Sequence, residues 1–92
     1  MGTQLEDIRA KLDELDNRLV TTIAERLALI PNVAEYKRDN GMQRYQPERE
    51  ARMIEERRAL AKQHGVNPDL IEDITRRLIE EAHRVEKDIM GE

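Results

Sequence analysis

Arg26 and Lys37 are the first residues in this sequence whose placement invites a chemical reading. They are 11 positions apart, which on an α-helix leaves them about 20° apart around the axis and roughly 16 Å apart along it. They share a face. Ile30 and Val33 lie along or beside that face, so the two cations border an apolar stripe. The ordinary reading is a pair of surface cations snorkelling over the edge of a core. The chemical reading is a fixed cationic surface for a small anion. Further charges follow in Gln46-Pro47-Glu48-Arg49-Glu50 and precede in Asp7-Ile8-Arg9-Ala10-Lys11-Leu12-Asp13-Glu14-Leu15-Asp16. Near the end of the chain, Ala82 and Glu86 are one helical turn apart and face the same way. Taken alone, Glu86 reads as a solvated residue close to the C-terminus.

Other chemistries find little support. The chain has no Cys, and its two His, His64 and His83, lack metal-ligand spacing, so neither a thiolate nor a structural metal site is expected. The formal net charge is −4, with no basic tail and no aromatic residue interleaved with Lys or Arg. Neither nucleic acid nor an anionic membrane is an expected partner. The segment Met1-Gly2-Thr3-Gln4-Leu5-Glu6-Asp7 carries no basic n-region or apolar h-region, and no apolar run approaches membrane-spanning length. The expected location is the cytoplasm.

The elements that must position these residues are helices. Leu5, Ile8, Leu12, Leu15, Leu19, Ile23, Leu27, Ile30 and Val33 recur in steps of three or four. A helix over about 4–38 would be roughly 50 Å long, longer than most small domains are wide. Pro31 falls inside it and predicts a bend, with a break near Ile30 as the alternative. Arg38-Asp39-Asn40-Gly41 closes this helix with a left-handed Gly, and Pro47 opens a second over about 47–64, ended by Gly65. Asn67-Pro68-Asp69 opens a third over about 68–90, striped by Leu70, Ile74, Leu78, Ala82, Val85 and Ile89. The expected fold is all-α, a single domain over 1–92 with three helices per protomer and a very long first one. Charged residues make up 39% of the chain, against about 25% in ordinary domains, so a second copy is expected to complete the apolar stripes as an intertwined homodimer.

Together, Asp7 to Asp16, Ala24-Glu25-Arg26, Lys37 and Gln46 to Glu50 resemble the all-helical class of chorismate mutases. The resemblance runs from about Leu5 to Glu86 and includes the helix order. It implies an isomerase of aromatic amino-acid (Phe and Tyr) biosynthesis that converts chorismate to prephenate as a homodimer without a cofactor. It further implies that Arg9 reaches into the partner's site and that Arg26 binds a substrate carboxylate. Lys37 would donate to the ether oxygen and a carboxylate, while Arg49 and Glu50 lie beside the substrate and Glu50 accepts from the ring hydroxyl. Glu86 would stand beside the ether oxygen. Independently, Arg9 and Lys37 are 28 positions apart, about 42 Å along a straight helix, so one chain cannot bring both to a small substrate.

Three positions depart from the family's commonest pattern. Gln46 stands where Asp is usual, which removes a charge near the ring hydroxyl. Ala82 replaces a small polar residue found in some members, and Glu86 occupies a position that is Gln in many members and Glu in others. The rival readings are an isochorismate-pyruvate lyase on the same scaffold and a non-catalytic helical module for dimerisation or effector binding. Retention of Arg9, Arg26, Lys37, Arg49 and Glu50 together argues against the module.

Overall fold

The computed structural model describes residues 3–92 as four consecutive helical segments, with no strand among the described residues. They are α1 (Gln4–Ala28), α2 (Ile30–Asp39), α3 (Pro47–Gln63) and α4 (Pro68–Met90). Helix α1 begins at a capping box: the Thr3 hydroxyl accepts from the Glu6 backbone N–H, and the Glu6 carboxylate accepts from the Thr3 N–H.

The long first helix is present, interrupted at the single residue Leu29 between α1 and α2, two residues before Pro31. Pro31 has no N–H to donate to the preceding turn. The turn ahead of it tightens, and the Leu29 N–H donates to the Arg26 carbonyl at 3.1 Å. Leu29 keeps right-handed helical angles (φ −85°, ψ −17°), so the chain carries on instead of doubling back. The molecule is accordingly 59 Å long, close to the ~54 Å that such a run of residues spans at helical rise.

The two inter-helix loops close as the glycines indicate. Gly41 (φ +63°) follows α2, with Met42 N–H donating to the Lys37 carbonyl at 2.8 Å and Gly41 N–H to that of Arg38. Gly65 (φ +69°) repeats the pattern after α3, where Val66 N–H reaches the Ala61 carbonyl at 2.9 Å. Both are Schellman closures, which need the left-handed conformation that glycine adopts without strain. Helix α3, the second expected from the sequence, ends at Gln63, one residue short of the expected boundary. Asn67 caps α4 by accepting from the Asp69 N–H at 2.9 Å, and Pro68 stands at its start.

Helix α4 packs against both α2 and α3. The core is thin, with Ala34, Met53, Ile54, Ala61 and Ala82 buried alongside Thr75 and Glu86. Helix α1 buries no residue, and Leu12, Leu15 and Leu19 are each 53% exposed. The radius of gyration is 17.0 Å, against about 12 Å for a compact domain of this length. No helix is long and apolar enough to cross a membrane.

Candidate functional site

A pocket of about 260 Å³ opens where the end of α1 and all three following helices converge. Helical spacing explains each contribution. Arg26, Ile30, Val33 and Lys37 come from successive turns along α1 and α2, and Ile79, Ala82, His83 and Glu86 form one inward stripe of α4. Pro47 starts α3, so that Arg49, Glu50 and Met53 occupy its first two turns, with Gln46 as the capping residue.

Lys37 and Glu86 meet inside this pocket. The Lys37 ammonium donates to Glu86 Oε1 at 2.7 Å and to the Arg44 backbone carbonyl at 2.8 Å. The Gly41 closure turns the loop back along α2 and thereby sets that carbonyl over Lys37. An ammonium has three N–H donors, so one remains for a ligand. Glu86 is 4% exposed. At such burial, removing one partner of the pair costs far more than the pair itself contributes.

A second contact chain crosses the same space. Arg44 Nη1 meets His83 Nδ1, and His83 Nε2 lies 2.7 Å from Glu50 Oε2. His83 Nδ1 is also 3.8 Å from Glu86 Oε2, so one imidazole stands between the two carboxylates of the pocket. Tyr45 packs edge-on against the imidazole, with ring centroids 6.1 Å apart.

Arg26 shows what the pocket lacks. Its Nη1 is buried without a hydrogen-bond partner. Burial, and then the like charges of Arg57 and Arg49, pushes the guanidinium below its ordinary pKa. Of these, Arg26 and Arg49 both line the pocket. Along the lining, Arg26, Lys37, Arg44 and Arg49 face Glu50 and Glu86, and Arg44 is also paired with Glu92 at 3.2 Å. The remaining surplus of positive charge suits a small anionic ligand.

Of the residues expected from the sequence, Arg26, Lys37, Gln46, Arg49, Glu50, Ala82 and Glu86 all line this pocket. Arg9 does not; it lies exposed on α1. Sequence reasoning missed Arg44, His83 and the neighbouring charge of Arg57. His83 was open to discovery, since it sits three positions before Glu86 on the α4 stripe, but a search for metal-ligand spacing passes over it. Arg44 lies in a loop without periodicity, where only the folded chain reveals its position. Among the described residues, no group of three or more His, Cys, Asp or Glu could hold a metal ion.

Residues 8–87 match the protein family described as chorismate mutase type II. A T-protein of Haemophilus influenzae is 40% identical over 79 residues, which cover 86% of this chain and 21% of that protein. A chorismate mutase of Methanocaldococcus jannaschii is 37% identical over 92 residues, covering 100% of this chain and 93% of that one. A 4-amino-4-deoxychorismate mutase of Streptomyces venezuelae is 31% identical over 88 residues, covering 96% and 85%. The chain therefore spans about a fifth of the T-protein but nearly all of the archaeal enzyme. No solved structure gives a significant match.

Proposed function

The chain belongs to the type II chorismate mutase family, and we propose that it converts chorismate to prephenate in aromatic amino-acid biosynthesis. The observation that carries this reading is the convergence of Arg26, Lys37, Arg49, Glu50 and Glu86 on one small pocket with surplus positive charge. A second feature supports it: a buried guanidinium N–H without a partner is a donor awaiting an anion.

The reaction asks little else of a protein. The ether C–O bond breaks as a new C–C bond forms within the same molecule, with no nucleophile, net proton transfer or electron donor. What remains is to hold a flexible dianion in its reactive chair and to stabilise the negative charge growing on the ether oxygen. In this reading Arg26 and Arg49 bind carboxylates, and Lys37 spends its remaining N–H on the ether oxygen. Glu86 stands beside that oxygen. Glu50 accepts from the ring hydroxyl, with Gln46 as a neutral neighbour. Ala82 contributes only shape.

The working unit is an intertwined homodimer in the cytoplasm, in which Arg9 of each chain completes the other's site. The exposed leucine stripe of α1 supports the dimer. Incubation with chorismate, isochorismate and 4-amino-4-deoxychorismate, with product identification, tests the proposal. Prephenate from chorismate is the expected outcome. Pyruvate released from isochorismate alone would make the protein a lyase, and no turnover of any substrate would reduce it to a binding module.

A further inference from the structure

Arg44, His83 and Glu50 form a contact chain that the reaction as described does not use. A guanidinium carries only N–H donors, so Arg44 Nη1 can meet His83 Nδ1 only if Nδ1 offers a lone pair. The ring proton then sits on Nε2, which donates to Glu50 Oε2 at 2.7 Å. Three different elements supply the chain: the loop after α2, α4 and α3. The T-shaped packing of Tyr45 holds the imidazole plane between them.

Glu50 and His83 line not only the small pocket but also an open groove of about 830 Å³ on its far side. The pair is therefore a partition. Without a partner on the groove side, the Glu50 carboxylate could swing outward to water; the imidazole holds one oxygen and leaves the other for a ligand.

We propose that His83, held in its tautomer by Arg44, is a positioning residue that fixes the Glu50 carboxylate, and so makes the ring end of the pocket selective for a hydroxyl over an amine. This rests on the mutase reading, in which Glu50 faces the substituent of the substrate ring. A hydroxyl donates one hydrogen bond and is satisfied by the single carboxylate oxygen that His83 leaves free. The ammonium of the 4-amino analogue brings three N–H donors and a positive charge. It would find one available oxygen, the neutral Gln46, and the cations Arg44 and Arg49 along the same lining.

The experiment compares the parent with His83→Leu, His83→Gln, Glu50→Gln and the double variant His83→Leu/Glu50→Gln. For each, kcat/KM is measured on chorismate and on its 4-amino analogue, and thermal unfolding checks folding. Nitrogen-15 NMR of the parent reports the His83 tautomer, with exposed His64 as the internal comparison. A hydrogen bond to a charged group has the size of a roughly ten- to hundredfold effect. His83→Leu should lose about that much on chorismate and less on the amino analogue, so the preference narrows. His83→Gln, which restores a donor at similar reach, should recover most of the loss. The double variant should be no worse than Glu50→Gln, because His83 acts through Glu50. The tautomer should be Nε2–H. An Nδ1–H tautomer, or a His83→Leu penalty that persists in full when Glu50 is already Gln, overturns the proposal. If the parent leaves chorismate untouched, the mutase reading and the selectivity fall together, while the tautomer still decides the contact chain.

Discussion

Replacing Glu86 by Gln is the substitution most informative about the proposed chemistry. In the structure Glu86 Oε1 accepts from Lys37 at 2.7 Å, and the residue is 4% exposed. The ionised carboxylate can only accept, so beside an ether oxygen that gains negative charge it repels what the site must stabilise. A protonated carboxyl donates instead. Glutamine keeps an oxygen for Lys37 and presents a permanent N–H on the other arm, in nearly the same volume. One preorganised donor at a developing oxyanion is worth about 10²–10³ in rate. Glu86→Gln should therefore exceed the parent in kcat/KM on chorismate at neutral pH, by up to about a hundredfold. Glu86→Ala should be slower than the Gln variant. It should also melt lower, since it strips a buried ammonium of its counter-charge at a cost of about 3–5 kcal/mol in typical cases. Initial rates of chorismate loss at neutral pH, with unfolding curves for the three proteins, provide the measurement. A Gln variant that simply tracks the parent would refute the placement of Glu86 at the ether oxygen.

If the site is shared between chains as proposed, Arg9→Ala and Lys37→Ala should each be nearly inactive, and co-refolding them should restore activity through heterodimers with one intact site. Mass spectrometry confirming the heterodimer without any recovery would place Arg9 outside the partner's site. Leu12→Asp should split the dimer, because half-burial of each stripe leucine is worth about 1 kcal/mol per chain and a buried carboxylate costs several more; light scattering that still reads a dimer counts against α1 as the interface. On the surface, the hydrogen bond from Arg76 holds Glu72 below the ordinary carboxylate range, and Arg84 does the same for Glu81. Groups depressed on folding contribute stability that is present above their unfolded pKa and lost as pH falls through the folded one. The melting temperature should thus drop on acidification below about pH 4.3, with a shallower slope in Glu72→Gln, and an unchanged slope would show that these exposed pairs contribute nothing measurable.

Much of this fold can be read from the sequence because local signals carry it. Gly41, Pro47, Gly65 and Asn67-Pro68 mark helix ends through backbone conformations that few other residues take, and each stands where the chain turns. The same logic made Pro31 ambiguous: a missing N–H says that the helix must adjust, but the choice between a bend and a tightened turn depends on how Leu29 and Arg26 settle. At the site, Arg26, Lys37, Glu50 and Glu86 are legible from helical spacing joined to a family resemblance. Arg44 and the His83 bridge are not, because they depend on how a loop folds back and on which two helices face each other across α4.

The structure leaves two deficits, and they lie at opposite ends of the same long helical run. Helix α1 has an apolar stripe with nothing over it, and Arg26 near its end has a buried N–H with nothing to bind. The first calls for an apolar partner and the second for an anion, so no single ligand answers both. An antiparallel second copy of α1 would cover the leucines, and in doing so would carry its Arg9 toward the pocket that the first chain leaves short of negative charge. That arrangement would add a further cation to a site already in positive surplus, which helps folding only once a dianion is present. Association and substrate binding would then be linked: the dimer would build the electrostatic demand, and the substrate would meet it. A core of three alanines, Met53 and Ile54 would suffice in such a dimer, with the long helix held by its partner and the pocket by what it binds.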